Sequence, residues 1–144
     1  MKLVKASKND IEEILSLHEK LFNYEYTYEN YANEIELGFA GFMVLKNDDK
    51  IVGYFIVHSI FEQMEIVIIA IDEEYQQKGY GKFLLEYIEY LSHKNGCNEI
   101  ILEVSHLNNK AISFYEKNKF NEIAKRKDYY CKDNHALILK KKVS

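Results

Sequence analysis

Two glycines flanked by lysines form the stretch best suited to binding an anion, because they stand where an apolar segment gives way to a helical pattern. Gly79 and Gly81 allow positive φ angles and leave backbone N–H groups open to a ligand. Lys78 and Lys82 add two ammonium groups, and a helix that begins here adds the positive end of its dipole. This arrangement suits phosphate oxygens, and a pyrophosphate above all. The alternative is that the two glycines only shape a turn from strand to helix.

Two common phosphate motifs do not fit this loop. A dinucleotide-binding fingerprint needs a third glycine, but Leu84 stands three residues after Gly81. A P-loop needs Gly-Lys followed by Ser or Thr, whereas Phe83 follows Lys82. The spacing therefore supports neither NAD nor ATP as the ligand.

Apolar periodicity predicts the elements that must position this loop, since strands alternate with period two and helices repeat every three to four residues. The predicted order is a strand at 2–6, two helices between 7 and 37, strands at 42–45, 51–61 and 65–71, a helix at 82–94, a strand at 99–104, a helix at 110–118, and strands at 120–127 and 136–140. Ser7 with Asp10, and Thr27, are predicted helix starts, and Gly38 and Gly96 are predicted helix ends. This order predicts an α/β fold with a mixed, mostly antiparallel central sheet flanked by helices.

Length and composition predict a single domain over residues 1–144. The chain has 144 residues, of which 47% are hydrophobic and 29% charged, so it has enough apolar material for a core. The absence of proline and the presence of six glycines leave no linker composition that would divide the chain.

The same numbers exclude several classes of partner. A formal net charge of −4 offers no basic field for nucleic acid, and no apolar run approaches the roughly 18–20 residues that span a bilayer. We therefore expect a soluble, cytoplasmic protein with no nucleic-acid or membrane partner. Cys97 and Cys131 and the five histidines show no metal-ligand spacing, so no metal site is expected.

The loop and the segments after it resemble the GCN5-related N-acetyltransferase (GNAT) family. Gln76-Gln77-Lys78-Gly79-Tyr80-Gly81 fits the family signature Q/R-x-x-G-x-G/A and lies, as in the family, between a central strand and the long helix. Further segments look like the bacterial ribosomal-protein-alanine N-acetyltransferase branch: Leu102-Glu103-Val104, Asn108, Ala111-Ile112, Tyr115-Glu116-Lys117, Phe120, and Lys125 through Tyr130. The resemblance covers residues 66–138, about half of the chain.

This resemblance implies the GNAT acetyltransferase fold, with acetyl-CoA as co-substrate and no metal. In the family, the strand backbone at Ile69, Ala70 and Ile71 would hydrogen-bond the pantetheine arm. The pyrophosphate would be wrapped by Gln76, Gln77, Lys78, Gly79, Tyr80, Gly81 and Lys82. Asn108 would contact the cofactor, the alternative being a plain helix cap.

The resemblance also implies direct transfer of the acetyl group to a primary amine, with Glu103 as general base and Tyr115 as general acid. A phenol of pKa about 10 can protonate a leaving thiolate when hydrogen bonding positions it. The alternatives are an outward-facing charge for Glu103 and a packing role for Tyr115. An α-amino group has a reference pKa of about 7.7–8.0 against about 10.4 for lysine, so an N-terminal amine is the easier acceptor at neutral pH.

On the acceptor side, Tyr129 and Tyr130 resemble the loop that lines the peptide groove in the alanine branch, which implies the N-terminal alanine of a small-subunit ribosomal protein as acceptor. The alternative is an exposed turn. The tyrosine-rich segment 24–31 either forms an opposite wall or packs a helix–loop–helix. Cys131 stands where the family has proline. Lys119 replaces a helix-ending glycine, so Asn118 or Lys119 must end that helix, and asparagine tolerates the left-handed conformation better.

Three other functions fit parts of the sequence. The same cofactor machinery would serve a small-molecule amine or lysine acetyltransferase. The loop alone would serve a non-catalytic acyl-CoA-binding module. A nucleotide-phosphate binder would use the same backbone donors.

Overall fold

The computed structural model describes residues 1–38 and 41–143, and in these ranges every predicted helix and strand is present. The strands are β1 (Lys2–Lys5), β2 (Gly41–Asn47), β3 (Lys50–Ile60), β4 (Gln63–Ile71), β5 (Glu99–Ser105), β6 (Asn121–Cys131) and β7 (Asn134–Lys142). The helices are α1 (Ile11–Leu21), α2 (Tyr28–Leu37), α3 (Tyr80–Lys94) and α4 (Asn109–Lys117). The predicted element order is confirmed, with boundaries displaced by a few residues.

The strands form one seven-stranded sheet in the order β1-β2-β3-β4-β5-β7-β6. The pairs β1–β2, β2–β3, β5–β7 and β6–β7 are antiparallel, whereas β4 and β5 are parallel where Gln63 to Glu65 meet Glu99 to Ile101. The predicted α/β class with a mixed, mostly antiparallel sheet is confirmed. Because β7 inserts between β5 and β6, any side-chain contact between β5 and β6 must reach across a strand.

Two compact units make up the described chain. The first unit comprises Met1–His58 with Ile66–Leu91, and the second comprises Ser59–Glu65 with Ser92–Ser144. In the first unit, the apolar residues of α1 recur every three to four positions, so they form one face of the helix, and this face packs into the core. That core is formed by Ile11, Ile14, Leu17, Tyr31, Phe42, Val44, Ile51, Tyr54, Ile56, Ile68 and Ala70.

Side-chain caps fix where the first two helices begin. Asp10 Oδ2 accepts a hydrogen bond from the Ser7 N–H at 2.9 Å, and a single 3-10 turn separates this predicted box from α1. Thr27 Oγ1 accepts from the Asn30 N–H at 3.1 Å, and Asn30 Oδ1 accepts from the Thr27 N–H at 2.9 Å. Gly38 then ends α2 with a φ of 53°. The predicted starts at Ser7 and Thr27, and the end at Gly38, are confirmed.

The end of α4 decides between the two residues expected to end it, because Lys119, and not the favoured Asn118, adopts the left-handed conformation. Lys119 has a φ of 75°, whereas Asn118 has a φ of −98°. The Phe120 N–H donates to the Tyr115 carbonyl and the Lys119 N–H to the Glu116 carbonyl, both at 3.1 Å, which is a Schellman ending. The Tyr115 and Phe120 ring centroids lie 5.4 Å apart. This apolar contact determines which residue of the motif takes the left-handed conformation. It therefore outweighs the intrinsic preference of asparagine for that conformation.

Candidate active site

The predicted loop follows β4 in the first unit, and hydrogen bonds join it to β3 and to the end of β4. The Asp72 N–H donates to the Val52 carbonyl at 2.8 Å. Gln76 Nε2 donates to the Ile71 carbonyl at 2.8 Å, so the first residue of the signature braces its own loop. Ile69 and Ile71 are partly buried and Ala70 is buried. The Gln76 side chain thus makes a structural hydrogen bond to the Ile71 carbonyl, in addition to its predicted role in cofactor binding.

Two residues of the loop have positive φ, and one of them is not a glycine. Gln77 has a φ of 59° and Gly79 a φ of 90°. A Cβ at Gly79 would have no heavy atom of the described residues within 4 Å, apart from its chain neighbours. The positive φ therefore accounts for the glycine, and the space beside it is open. Residues 77–79 are exposed to solvent.

The second glycine, Gly81, lies within the first turn of α3. The first hydrogen bond of this helix runs from the Phe83 N–H to the Gly79 carbonyl at 3.0 Å. The N–H groups of Tyr80, Gly81 and Lys82 precede it, and first-turn N–H groups have no intrahelical acceptor. These donors and the positive end of a 15-residue helix are suited to a pyrophosphate.

Cations cluster beside this loop around the ring of Tyr75. Lys78 Nζ lies 5.6 Å from the ring centroid and Lys50 Nζ lies 5.8 Å from it. The Tyr75 hydroxyl accepts a hydrogen bond from Asn47 Nδ2 at 3.1 Å. Lys50, Tyr75 and Asn47 were not predicted as site residues, because only the β2–β3 turn brings Lys50 and Asn47 to the loop. The structure thus adds one ammonium group to those that the sequence indicated.

Glu103 lies on β5 in the second unit and forms an ion pair with Arg126 of β6. Arg126 Nη1 lies 3.1 Å from Glu103 Oε1, and the two side chains are 52% and 29% exposed. The Arg126 guanidinium carbon lies 4.3 Å from the ring centroid of Tyr129. Arg126 therefore joins the predicted general base to a predicted acceptor-side tyrosine. The sequence indicated Arg126 only as part of a basic run, and its two partners follow from the order of the strands.

Tyr129 and Tyr130 lie on an irregular part of β6, the strand whose residues are all exposed. The pairing of β6 with β7 shifts register between Arg126 and Cys131, and Asp128 within this stretch has a φ of 52°. The two tyrosine rings meet edge to face with centroids 5.1 Å apart. Such irregularities re-aim side chains and are common next to active sites. The predicted acceptor-side tyrosines are thus exposed, as a peptide groove would require.

Asn108 and Tyr115 lie at the two ends of α4 in the second unit. Asn108 Oδ1 accepts a hydrogen bond from the Ala111 N–H at 3.1 Å, so Asn108 caps the helix, and its cofactor contact stays a prediction. Tyr115 is buried, and its ring meets those of Phe114 and Phe120 at 5.2 and 5.4 Å. The packing of this ring is observed, and its role as general acid stays a prediction.

The tyrosine-rich segment divides into a buried part and an exposed part. His18 Nε2 donates to the Tyr24 carbonyl at 2.8 Å, so in the neutral imidazole Nδ1 is the acceptor. The Tyr31 hydroxyl then donates to His18 Nδ1 at 2.9 Å and accepts from the Tyr54 hydroxyl at 2.7 Å. Tyr31 and Tyr54 are fully buried, whereas Tyr24 and Tyr28 are exposed. For Tyr31 the packing interpretation is confirmed.

Burial has a clear effect on the ionisation of these phenols. It raises the pKa of both Tyr31 and Tyr54 far above the usual value for tyrosine. The hydrogen bond that Tyr31 accepts from Tyr54 partly opposes the rise at Tyr31, and the same bond adds to the rise at Tyr54. Both hydroxyls therefore remain neutral donors in the folded chain.

Neither a cluster of metal-ligating side chains nor a membrane-spanning helix is found in the described part of the chain. No group of three or more His, Cys, Asp or Glu side chains there is arranged to hold a metal ion. Within residues 1–38 and 41–143, no helix is both long enough and apolar enough to cross a bilayer. Cys97 is a buried free thiol and Cys131 an exposed one. The predictions of a metal-free reaction and a cytoplasmic location stay predictions.

Comparison with known proteins identifies the family. The chain matches the sequence model of the acetyltransferase (GNAT) family over residues 11–120. An N-alpha-acetyltransferase of Saccharolobus solfataricus is 31% identical over 149 residues, covering 93% of this chain and 88% of the relative. A [ribosomal protein bS18]-alanine N-acetyltransferase of Escherichia coli K12 is 32% identical over 106 residues, covering 74% of this chain and 69% of the relative.

A solved structure shows the same fold. Ard1 from Thermoplasma volcanium superposes with a TM-score of 0.92 at 24% identity, covering 99% of this chain and 97% of that one. Together with the family match over most of the chain, these findings confirm the resemblance that the glycine loop indicated. The chain belongs to the GNAT family and is an acetyl-CoA-dependent N-acetyltransferase.

Proposed function

We propose that this N-acetyltransferase acts on N-terminal α-amines, with the N-terminal alanine of a ribosomal protein as its acceptor. The observation that carries the proposal is the pair of relatives at 31% and 32% identity, one named for N-α-acetylation and the other for alanine acetylation on a ribosomal protein. The exposed edge formed by Glu103, Arg126 and Tyr129 is consistent with an acceptor of this kind, because a chain end can approach it from solvent.

Amine chemistry favours the same acceptor. Transfer needs the neutral amine, and at neutral pH deprotonation costs about 1 kcal/mol for an α-amine but more than about 4 kcal/mol for a lysine. For any given base, removing the proton from an α-ammonium therefore costs about 3 kcal/mol less than removing it from a lysine ammonium.

The residues of the first unit fit the diphosphate of acetyl-CoA, whose thioester supplies the activated acetyl group when bound. The N–H groups of Tyr80, Gly81 and Lys82 would hold phosphate oxygens, with Lys78 and Lys50 adding positive charge nearby. Gln76, Gln77 and Gly79 would shape the loop around the phosphates. Ile69, Ala70 and Ile71 of β4 would bind the pantetheine arm through their backbone, and Asn108 would add a contact from the start of α4.

Two side chains of the second unit would move the protons. Glu103 would accept the proton of the attacking amine, directly or through a water, and Arg126 holds one of its oxygens at 3.1 Å. Tyr115 would supply the proton that the departing thiolate requires, since a phenol has a reference pKa of about 10 and carries its proton at physiological pH. The Tyr129 and Tyr130 rings would line the acceptor groove beside Glu103.

The proposal treats residues 1–144 as one N-acetyltransferase domain, because the family match over residues 11–120 includes residues of both units. It places the enzyme in the cytoplasm. It assigns no metal, nucleic-acid or membrane partner to the reaction.

A panel of three acceptors tests the proposal. The protein is incubated with acetyl-CoA and an alanine-first peptide with a free N-terminus, an N-blocked peptide bearing one lysine, or a polyamine, and the mass gain of each is measured. We expect acetyl transfer to the free N-terminus. Transfer to the blocked lysine peptide or the polyamine alone would assign the enzyme to lysines or to small amines, and coenzyme A binding without any transfer would indicate a non-catalytic module.

Tyr115→Phe provides the matching test of the general acid. The substitution keeps the ring that packs against Phe114 and Phe120 and removes only the hydroxyl. We expect turnover of the alanine-first peptide to fall by about 10²-fold or more. An unchanged turnover would limit Tyr115 to packing.

A further inference from the structure

We propose that Arg126 is a positioning residue for Glu103 and that its charge makes the acceptor site select against amines carrying a second positive charge near the reacting nitrogen. The inference rests on the proposed function, in which Glu103 is the general base. The geometry that carries it is the row Glu103, Arg126 and Tyr129 on one face of the sheet.

Only a long side chain can make this contact, because β7 separates β5 from β6. Glu103 pairs in register with Ile138 of β7, and Ile138 pairs with Ala124 of β6. Arg126 is two residues beyond Ala124 and therefore on the same face. Neighbouring strands lie about 4.8 Å apart, so the Arg126 and Glu103 side chains together span the two strand spacings, about 10 Å, that separate their backbones.

The guanidinium has a second contact, with an aromatic ring. The ring of Tyr129 lies 4.3 Å from the guanidinium carbon, within range for a cation–π interaction. Tyr129 reaches this position because β6 loses its regular pairing after Arg126, with Asp128 at a φ of 52°. The irregularity of the strand therefore serves to place an aromatic ring against the cation.

The consequence for Glu103 is a fixed orientation. The ion pair uses Oε1, so the position of Oε2, the oxygen left for proton uptake, is set by Arg126. An arginine remains charged throughout the physiological pH range and cannot compete for the amine proton. Arg126 thus orients the base without acting as an acid or a base itself.

The consequence for the acceptor is electrostatic. The amine must come close to Glu103 and therefore to the guanidinium bonded to it. A second cation on the first residue, as in a lysine-first peptide, would be attracted by Glu103 but repelled by the guanidinium, and at about 6 Å with solvent screening the repulsion by Arg126 lowers kcat/KM roughly threefold to tenfold relative to a site without this charge. A neutral first residue such as alanine avoids the repulsion.

Four variants test the inference: Arg126→Gln, Arg126→Lys, Lys125→Gln as matched control, and Glu103→Gln. Lys125 carries the same charge on the same strand, but alternation places it on the opposite face of the sheet. The kcat and KM of each variant are measured with alanine-first and lysine-first peptides of otherwise identical sequence, both with free N-termini and with internal lysines absent. Each variant's melting temperature is recorded.

We expect Arg126→Gln to lower kcat on the alanine-first peptide by about tenfold with the KM for acetyl-CoA unchanged. We expect it also to raise the lysine-first to alanine-first ratio of kcat/KM by at least about threefold. Arg126→Lys, which keeps the charge, should restore the ratio, and Lys125→Gln should change neither quantity.

Two results would overturn the inference. One is Arg126→Gln behaving like Lys125→Gln. The other is an equal loss on both peptides with a lowered melting temperature that Arg126→Lys does not recover, which would be a structural role. The Glu103→Gln variant distinguishes failure of the proposed general base from failure of the role of Arg126. If Glu103→Gln keeps full turnover, Glu103 is not the base. If Glu103→Gln loses turnover and the Arg126 variants do not, only the role of Arg126 is contradicted.

Discussion

The buried tyrosine cluster of the first unit and the exposed acceptor edge of the second unit use the same residue type in opposite ways. We define the buried cluster as His18, Tyr31 and Tyr54, and the acceptor edge as Glu103, Arg126 and Tyr129. In the buried cluster both phenol hydroxyls take part in hydrogen bonds within the chain, and both rings are 0% exposed. In the acceptor edge Tyr129 is 47% exposed, and the face of its ring contacts a guanidinium.

Burial, and not residue type, therefore separates the tyrosines that stabilise the fold from those available to a substrate. A buried hydroxyl must be paired, because an unpaired one costs about 1–3 kcal/mol. An exposed ring carries no such requirement and is free to contact a ligand. Substitutions in the buried cluster should therefore change stability, and those in the acceptor edge should change the reaction.

The largest expected effect is on the acceptor edge. Glu103→Gln should lower turnover by about 10²–10⁴-fold, because glutamine cannot take up the amine proton, with little change in stability since the side chain is partly exposed. Steady-state kinetics and a urea titration measure the two quantities. Glu122→Gln, an exposed carboxylate of β6, is the control and should leave both unchanged. Equal turnover in the two variants would remove Glu103 from the reaction.

The second effect is on the buried cluster. Tyr31→Phe removes a hydroxyl that donates to His18 and accepts from Tyr54, and it should lower the free energy of unfolding by about 1–3 kcal/mol. Turnover at a temperature where the variant is fully folded should be close to that of the wild type. Tyr129→Phe is the matched control at the acceptor edge and should leave stability unchanged. A Tyr31→Phe variant of full stability would contradict a structural role for this cluster.

The third prediction concerns the exposed loop. Gly79→Ala and Gly96→Ala both place a Cβ on a residue of positive φ, 90° and 72°, with no described atom close to it. Each should lower stability by about 1 kcal/mol through backbone strain. Calorimetric titration with coenzyme A should show weaker binding by several-fold for Gly79→Ala alone. Equal binding by both variants would separate the loop from the diphosphate.

The smallest expected effect is on alkaline stability. Burial raises the pKa of Tyr54 above its ordinary value of about 10, so the unfolded chain ionises first as pH rises. Stability should therefore be complete below pH 10 and fall above it, by about 0.8 kcal/mol per buried tyrosine between pH 8 and 10.5. Urea titrations at the two pH values measure the fall, which Tyr54→Phe should reduce. A fall of the same size in that variant would assign the effect to other groups.

The sequence predicted the elements and the loop because their signals are local. The apolar run of β3, which is rich in Val, Ile and Phe, and the helical spacing of α3 each lie within one segment, and the Gln76 to Gly81 signature lies within six residues. The caps at Ser7 and Thr27 are equally local, since each bonds a residue three positions away. Patterns of such short range can be recognised without knowing how the strands pair in the sheet.

The contacts of Arg126 and Lys50 could not be predicted because they depend on pairing between distant segments. Arg126 meets Glu103, 23 positions away, through the strand order β5-β7-β6, which loop lengths alone do not fix. The end of α4 is a different case, because there the short-range Tyr115–Phe120 contact sets the register and outweighs the preference of Asn118 for the left-handed conformation. For Arg126 and Lys50, a contact between distant segments supplied what the segment itself did not encode.

The most direct test of the account offers both kinds of amine in one molecule. A peptide that begins with alanine and carries one internal lysine is incubated with the enzyme and acetyl-CoA at pH 7, and fragmentation mass spectrometry locates the acetyl group at early times. The account predicts acetyl on the α-amine, with the lysine unmodified. Acetyl on the lysine with a free α-amine would contradict it.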